Sequence, residues 1–226
     1  FSVLRARQLL IYFKDPEARV FLGVLFSITV VALIVLTLTH TYNDPAATFW
    51  HGIFQVVSIA TTTGYTTTGF HWWPSFLPIM LILMSAIGGC AGSTAGGMKI
   101  IRAILIYKQG RREIDQLIHP NALIPIKLGG KPVPESVIDA VWGFFALYTL
   151  SYVILALAMT ATGVDLVTAF SAVTACLNNL GPGLGTVADN YAGISASGKW
   201  ILCVSMLLGR LEIFTLLVLL TPTFWR

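Results

Sequence analysis

The residues with the most distinctive chemistry form one polar run at positions 60–70, Ala-Thr-Thr-Thr-Gly-Tyr-Thr-Thr-Thr-Gly-Phe. Its hydroxyl groups and glycines make it a poor membrane helix. Non-helical backbone at membrane depth survives only where it is buried in protein or lines a wet cavity. With Gly64 free to adopt a positive φ, consecutive carbonyls here can face a dehydrated cation. A polar loop outside the membrane explains this stretch equally well, so the surrounding elements must decide.

Composition places the chain among integral membrane proteins. Its 226 residues are 56% hydrophobic and only 11% charged, with a mean hydropathy of +0.79. Soluble domains carry about 25% charged residues. The chain starts without an initiator Met or a signal peptide, which predicts a piece of a longer protein.

Positive charge is clustered along the chain. Twelve of the 14 Lys and Arg residues lie within 5–19, within 99–131 and at 226, and the other two are Lys199 and Arg210. Because Lys and Arg are enriched in the cytoplasmic segments of membrane proteins, these three regions are predicted to be cytoplasmic. The basic balance therefore does not indicate nucleic-acid binding. The three cysteines are far apart and predict neither a disulfide framework nor a metal site.

The first half of the chain predicts a membrane span followed by a short re-entrant helix. Residues 1–19 are amphipathic and are expected to lie on the cytoplasmic face. Residues 20–38 carry no charge and are long enough to cross a bilayer outward. Asp44 followed by a proline is a helix-start signal, but the apolar stretch 47–60 is too short to cross. The C-terminal end of this helix would point into the membrane and favour a cation there.

A glycine-rich break interrupts the next predicted span, residues 75–107. Positions 88–97 read Gly-Gly-Cys-Ala-Gly-Ser-Thr-Ala-Gly-Gly, with five glycines in ten residues. Such a run is typical either of a close-packed interface of small residues between membrane helices or of an unwound segment at mid-membrane. The density of glycines favours the unwound segment, which we name the gate loop. Residues 108–135 are predicted to form a cytoplasmic linker.

The second half of the chain repeats this plan. Residues 136–162 predict an outward span, and Asp165 starts a second short apolar helix over 166–177. A run rich in Asn, Gly and Pro follows at 178–185 and takes the place of the Thr/Gly run of the first half.

The last predicted span, residues 200–220, carries Arg210 within the membrane. An arginine there costs several kcal/mol unless partners or water compensate for the lost hydration. Glu212 is two residues away, and residues so spaced on a helix do not face each other. We therefore expect Arg210 to have a partner elsewhere in the chain.

The two halves form two repeats that both begin by running outward, so the repeats are parallel. We predict an all-α integral membrane fold in which two parallel span–pore-helix–span repeats form half of a four-repeat, potassium-channel-like pore. Its parts are a cytoplasmic amphipathic segment (1–19), a first pore repeat (20–107), a cytoplasmic linker (108–135) and a second pore repeat (136–226).

Four stretches of the chain, 61–70, 88–102, 178–185 and 208–226, carry a family resemblance. They resemble the C-terminal half of the potassium transporters of the Trk/Ktr/HKT superfamily. The resemblance covers essentially the whole chain and implies the third and fourth of four pore repeats. The Thr-Val-Gly-Tyr-Gly motif of tetrameric potassium channels is absent from the sequence.

The resemblance implies a function and a set of partners. It implies a transporter rather than an enzyme, one that takes up K⁺ across the bacterial inner membrane as a multi-pass protein. The filters would face the outside and the basic loops the cytoplasm. K⁺ would be the transported ion, and no organic cofactor is implied. The implied partners are membrane lipid, the N-terminal half with the two missing repeats, a second copy in a homodimer, and a TrkA-like cytoplasmic ring that binds nucleotides and regulates transport.

The resemblance also assigns roles to residues. It places one filter glycine in each repeat, an intramembrane gate at the gate loop, and Arg210 in the pore below the filter. The first filter segment comprises Thr62, Thr63, Gly64 and Tyr65, and the second filter segment comprises Asn179, Leu180, Gly181 and Pro182. The gate comprises Gly88, Gly89, Gly92, Ser93, Thr94, Gly96, Gly97 and Arg210.

Two hypotheses follow for the mechanism. Backbone carbonyls would replace part of the hydration shell of K⁺; they are those of Thr62, Thr63, Asn179 and Leu180. Carbonyls and hydroxyls freed in the gate loop would accept hydrogen bonds from Arg210, whose positive charge would also repel cations in a low dielectric.

An alternative hypothesis is a cation-coupled secondary transporter with a midplane substrate site at the broken helix. A path of intramembrane carboxylates would favour it, but the sequence offers only Glu212 and Asp139. An intramembrane protease would need paired aspartates or a Ser/His arrangement at membrane depth, and the sequence shows neither pattern. Ion uptake through a filter is therefore the preferred interpretation.

Overall fold

The chain folds almost entirely into helices. The computed structural model describes residues 15–74, 76–122, 124–211 and 213–225. The helices are α1 (Pro16–Leu38), α2 (Pro45–Ala60), α3 (Leu77–Ile87), α4 (Ile100–Ile118), α5 (Glu135–Thr160), α6 (Leu166–Leu177), α7 (Ala196–Arg210) and α8 (Ile213–Leu220). Short 3₁₀ turns cover Phe70–Trp72, Gly185–Val187 and Pro222–Trp225, and strands β1 (Lys127–Leu128) and β2 (Lys131–Pro132) pair antiparallel. The predicted all-α fold is confirmed.

Two of the described helices, α1 and α5, are long and apolar enough to cross a membrane. Their outward faces are apolar: on α1, Phe26 is 71% exposed and Leu38 is 75% exposed. So much exposed apolar surface is unusual for a protein in water, whereas a membrane span requires it. These features are those of an all-α membrane protein.

The first span begins earlier than the sequence predicted. Asp15 caps α1 by accepting a hydrogen bond from the Glu17 N–H (3.0 Å). Pro16 is the first helical residue, a position where a missing N–H costs nothing. Residues 16–19 therefore belong to helix α1, and residues 1–14 of the predicted amphipathic segment lie outside the described residues.

Both short helices start at an aspartate. One carboxylate oxygen of Asp44 accepts from the Ala46 N–H (3.0 Å), and one of Asp165 accepts from the Thr168 N–H (3.1 Å). Each cap satisfies a backbone donor that has no partner within its helix. α6 covers the predicted residues, and α2 starts two residues before the predicted 47.

α4 is longer than the sequence predicted. It continues to Ile118, into the predicted linker 108–135, and β1 and β2 fold part of the remainder into a hairpin. The prediction ended the span near residue 107 because charged residues begin there. Lys, Arg, Gln and Glu are good helix formers, however, so the helix continues where the apolar pattern stops.

The last predicted span, residues 200–220, is two helices rather than one. α7 begins after Ser195, whose hydroxyl accepts from the Gly198 N–H (3.2 Å), and it ends at Arg210. α8 follows from Ile213. Gly209 precedes the break, but a single glycine in an apolar run is a weak signal. The two predicted spans that follow the short helices, 75–107 and 200–220, are here called the returning spans. Each is divided into two helices, and Arg210 lies at the second division.

The two repeats pack as one unit at the short helices. α2 packs against α1 and α3, and α6 packs against α5 and α7. α3 of the first repeat also packs against α6 of the second. The apolar core of the first repeat includes Ala175, Leu180 and Leu184 from the second repeat, so burial of apolar surface fixes the position of one repeat relative to the other.

The cap of α6 generates a prediction. Asp165→Ala should lower the free energy of unfolding by about 1 kcal/mol, measured as a lower thermal midpoint at neutral pH. Hydrogen bonds from the Thr168 hydroxyl and N–H hold the pKa of Asp165 below its ordinary value. The contribution of the ionised cap is therefore complete above that ordinary pKa of about 3.9 and is lost as pH falls through the lower, folded-state pKa.

Asp189→Ala is the matched control for this experiment. Asp189 is an exposed residue that caps no described helix, so its replacement should leave the midpoint unchanged. Equal midpoints for the Asp165 and Asp189 variants at neutral pH would contradict the prediction.

Candidate functional site

The first filter segment leaves α2 through a Schellman turn. The Thr62 N–H donates to the Ile59 carbonyl (3.0 Å), and the Thr63 N–H donates to the Ser58 carbonyl (2.8 Å). Thr62 has a φ of +55°, which is strained for a β-branched residue, and Gly64 has a φ of +82°. The left-handed residue ends the helix and turns the chain away from the helix axis.

The second filter segment leaves α6 through the same turn. The Asn179 N–H donates to the Cys176 carbonyl (3.1 Å), and the Leu180 N–H donates to the Ala175 carbonyl (2.8 Å). Asn179 has a φ of +52° and Gly181 a φ of +103°. The order of backbone conformations is thus the same in both segments, with a left-handed residue, an intervening residue and a glycine at positive φ.

The two filter segments lie side by side. A Cβ placed on Gly64 would overlap the Leu180 carbonyl oxygen and lie 3.6 Å from the Pro182 Cδ. The Leu180 main chain is therefore directly against Gly64, an approach that only a residue without a side chain permits. The structure brings together the two stretches that the sequence analysis singled out separately.

Two of the filter carbonyls are bonded to protein hydroxyls. The Ser58 hydroxyl donates to the Tyr65 carbonyl and the Tyr191 hydroxyl to the Gly181 carbonyl, both at 2.6 Å. Within the described part of the chain no donor bonds the four carbonyls that were expected to face K⁺, those of Thr62, Thr63, Asn179 and Leu180.

The gate loop is not helical, and hydrogen bonds join its two ends. α3 ends at Ile87 and α4 begins at Ile100, so the continuous helix of small residues is not formed. The Met98 N–H donates to the Ala86 carbonyl (2.9 Å), and the Ile100 N–H donates to the Gly89 carbonyl (3.1 Å). Three of the loop glycines have φ between +70° and +77°, a region that glycine enters without steric cost.

The gate loop contacts the ends of both short helices. The Gly96 N–H donates to the Thr62 hydroxyl (3.1 Å), just after α2. A Cβ on Gly96 would overlap the Asn178 carbonyl oxygen, just after α6. The loop is therefore fitted between the two filter turns, and glycine is required where it meets the second.

Arg210 also meets the gate loop. Its Nη1 donates to the Thr94 carbonyl (2.6 Å), so the partner lies far along the chain, and it is a main-chain group rather than a side chain. Glu212 lies outside the described residues. A Cβ on Gly209 would overlap the Leu177 carbonyl oxygen. This close approach brings the end of α7, and with it Arg210, up to the loop.

Two further charged side chains hold the gate loop, and the sequence analysis did not single them out. The Lys99 Nζ donates to the Ser93 carbonyl (2.8 Å) and to the Ala95 carbonyl. A Glu17 carboxylate oxygen accepts from the Ala91 N–H (2.5 Å). The position of Lys99, two residues after the last glycine of the run, was a usable signal. Glu17 is 74 residues from its partner, and no local pattern points to it.

A cavity of about 340 Å³ lies beside the gate loop, lined by residues 92–97, Lys99, Gly209 and Arg210. Two cationic side chains therefore lie on its wall. Like charges repel more strongly near protein than in bulk water, because the effective dielectric is lower. The cavity disfavours a cation as long as these side chains stay in place.

Asn178 is a buried junction that the sequence analysis placed only in the run after α6. The Tyr148 hydroxyl donates to its Oδ1 (2.6 Å), and its Nδ2 donates to the Ser85 hydroxyl (2.9 Å). These bonds join α5, α6 and α3 at the base of the second filter turn. Buried polar groups that are fully paired rigidify their surroundings, so the carbonyl that Gly96 contacts is held in a fixed position.

The glycine contacts generate a prediction about packing. Gly96→Ala and Gly209→Ala each place a methyl group onto a main-chain oxygen that cannot move aside, and overpacking of this kind costs about 1–3 kcal/mol. Both variants should lower the thermal midpoint. Gly23→Ala is the matched control, because an added Cβ on this glycine of α1 meets nothing within 4 Å. Midpoints equal to that of the control would show that the backbones are not in close contact.

Comparisons with known proteins agree with this geometry. The family described as "TrkH: Cation transport protein" matches residues 1–225. The Trk system potassium uptake protein TrkH of Escherichia coli (strain K12) is 53% identical over 226 residues, which is 100% of this chain and 47% of that protein. The protein of the same name from Vibrio parahaemolyticus is 55% identical over 215 residues, 95% of this chain and 44% of that protein.

A solved structure also matches. The crystal structure of the potassium transporter TrkH from Vibrio parahaemolyticus has a TM-score of 0.90 and 54% sequence identity, over 96% of this chain and 47% of that one. The chain spans about half the length of the relatives it matches. On the family match over nearly its whole length, the chain belongs to the TrkH family of cation transport proteins.

Proposed function

We propose that this chain supplies two repeats, the third and fourth, of a pore that takes up K⁺ through a carbonyl-lined filter. One observation carries the proposal: identical turns end α2 and α6, and the Leu180 main chain of one turn lies against Gly64 of the other. The choice of ion rests on relatives named as potassium uptake proteins. On this proposal the chain is a transporter and not an enzyme.

The filter would act through main-chain oxygens. An ion leaves water for a pore only where fixed oxygens replace its hydration shell. Four carbonyls that accept no hydrogen bond from the described residues offer such oxygens, those of Thr62, Thr63, Asn179 and Leu180. The C-terminal ends of α2 and α6, each with a partial charge of roughly −0.5, add a field that favours a cation. Two such segments would line half of the circumference of the pore, and the two repeats of the N-terminal half would line the other half.

The gate loop would close the path below the filter. It is fitted against Thr62 and Asn178, and its carbonyls are bonded by Lys99 and Arg210. A K⁺ ion about 4 Å from one fixed positive charge is repelled by about 4 kcal/mol at an effective dielectric of 20. Opening would move the loop out of the path and move at least one of these charges.

The proposed setting is the bacterial inner membrane, with the filters outside and the hairpin and the far end of α4 in the cytoplasm. The cluster of Lys108, Arg111 and Arg112 in α4 supports this orientation, because positive charge is enriched on the cytoplasmic side. The proposed partners are membrane lipid, the N-terminal half of the same protein, a second copy in a homodimer, and a TrkA-like regulatory ring on the cytoplasmic side.

The filter assignment predicts the effect of Gly64→Ser. A side chain at this position would be strained by the φ of +82° and would displace the Leu180 carbonyl. We expect discrimination of K⁺ over Na⁺ to fall by about tenfold, equal to about 1.4 kcal/mol. The measurement is the ratio of K⁺ to Na⁺ uptake by vesicles that contain the full-length protein.

Gly193→Ser is the control for the filter variant. Gly193 is exposed, and an added Cβ on it would meet nothing within 4 Å, so its replacement should leave the ratio unchanged. An unchanged ratio in Gly64→Ser would show that this glycine does not shape an ion filter.

The gate assignment predicts increased flux in two variants. Arg210→Ala, or a deletion within residues 92–96, should raise K⁺ flux by about tenfold if the closed loop contributes about 1.4 kcal/mol to the barrier. Lys199→Ala removes a cation whose Nζ bonds the Ala192 carbonyl near the start of α7, and it should leave the flux unchanged. Parental flux in both gate variants would count against the gate.

A further inference from the structure

The second filter segment is held by a tyrosine from the loop that follows it. The Tyr191 hydroxyl donates to the Gly181 carbonyl at 2.6 Å. Tyr191 lies between the 3₁₀ turn Gly185–Val187 and α7, ten residues after the glycine that it bonds. Its ring is half-buried and packs against the core of the second repeat. This packing holds the hydroxyl in position.

The peptide that Tyr191 bonds has little else to hold it. This peptide joins Gly181 to Pro182, and proline has no N–H, so the carbonyl, which accepts, is the only hydrogen-bonding group of this peptide. Gly181 has a φ of +103°, and an added Cβ on it would meet nothing within 4 Å. The proline ring fixes the φ of Pro182, so the ψ of Gly181 is the flexible torsion beside this peptide. Within the described residues, the Tyr191 hydroxyl is the donor that fixes the rotation of this peptide.

The first repeat also has a hydroxyl on a filter carbonyl, but one position further along, because the matching turns pair Gly64 with Gly181 and therefore Tyr65 with Pro182. Ser58 of α2 donates its hydroxyl to the Tyr65 carbonyl at 2.6 Å. The position equivalent to Ser58 is Ala175, because the carbonyls of both residues accept the N–H that closes the Schellman turn. Alanine has no hydroxyl to donate. The second repeat therefore lacks the anchor of the first within its own helix, and a hydroxyl arrives from outside the helix instead.

We propose that Tyr191 is a positioning residue for ion selectivity, and that its hydroxyl fixes the second filter segment as Ser58 fixes the first. This inference rests on the proposed function of the filter segments. The bond fixes the carbonyl that directly follows Leu180, so it also limits rotation of the Leu180 carbonyl against Gly64. Oxygens that are held in place cannot close in around Na⁺, which is smaller than K⁺. Loss of the Tyr191 bond would let the Gly181 carbonyl shift and the oxygens move closer together.

The test is Tyr191→Phe in the full-length protein, which removes one oxygen and keeps the ring. We expect the ratio of K⁺ to Na⁺ uptake to fall severalfold while the thermal midpoint stays close to that of the parent. Ser58→Ala removes the hydroxyl that bonds the Tyr65 carbonyl in the first filter segment and should shift the ratio in the same direction. A purely structural role of Tyr191 would change the midpoint or the yield and leave the ratio of the two ions unaltered.

Tyr42→Phe is the matched control. Its hydroxyl donates to the Thr68 hydroxyl (3.3 Å) and accepts from the Trp73 indole (3.0 Å), and it bonds no filter carbonyl. Its removal should leave the ratio unchanged. A fall as large as that of Tyr191→Phe would overturn the proposal, because any loss of an outer tyrosine hydroxyl would then have the same effect.

Gly64→Ser separates failure of this inference from failure of the proposed function. A lower ratio in Gly64→Ser together with a parental ratio in Tyr191→Phe would overturn the role of Tyr191 and leave the filter assignment intact. Parental ratios in both variants would overturn the filter assignment and this inference with it.

Discussion

Main-chain atoms of different elements are in close contact at three points around the end of α6, and the rest of the structure depends on these contacts. Each is formed by a main-chain carbonyl at the end of α6 and a glycine of another element: Leu177 against Gly209, Asn178 against Gly96, and Leu180 against Gly64. The three glycines belong to α7, to the gate loop and to the first filter segment. Because one helix end serves all three, the two filter segments, the gate loop and the end of α7 pack against a single part of the structure. The buried bonds of the Asn178 side chain hold that part in place.

The gate loop shows how unwound main chain can be kept within a membrane protein. Its N–H and carbonyl groups need partners because lipid offers none. Three charged side chains from outside the loop supply some of them, namely Glu17, Lys99 and Arg210. Each bonds a main-chain group, and hydrogen bonds to charged groups contribute about 1.5–3 kcal/mol each. These bonds therefore stabilise the non-helical conformation of the loop.

The two repeats share their geometry and differ in what holds it. In both, the left-handed residue after the short helix ties the turn to the returning span of the same repeat. The Thr62 hydroxyl accepts from Gly96 of the gate loop, and the Asn179 amide donates to the Met206 carbonyl of α7 (3.5 Å). The break in the first returning span and the end of α7 thus stand in equivalent places. That equivalence explains why Arg210, at the second break, reaches the loop that forms the first.

Local rules determined much of this protein in advance. Aspartate caps, apolar stretches too short to cross a membrane, and a run of glycines depend only on neighbouring residues. The start of α6 at Leu166, the unwound segment after Ile87 and the repeat itself could therefore be predicted from the sequence. Arg210 could be expected to have a distant partner because isolated charge is costly in a membrane.

Only the tertiary structure decided which group is the partner of Arg210. It also decided that Glu17, Lys99 and Tyr191 bond main-chain groups. Such contacts join residues that no periodic pattern relates. The end of α4 at Ile118 and the break after Arg210 were likewise not predicted, because hydropathy reports where lipid begins and not where helical hydrogen bonding stops.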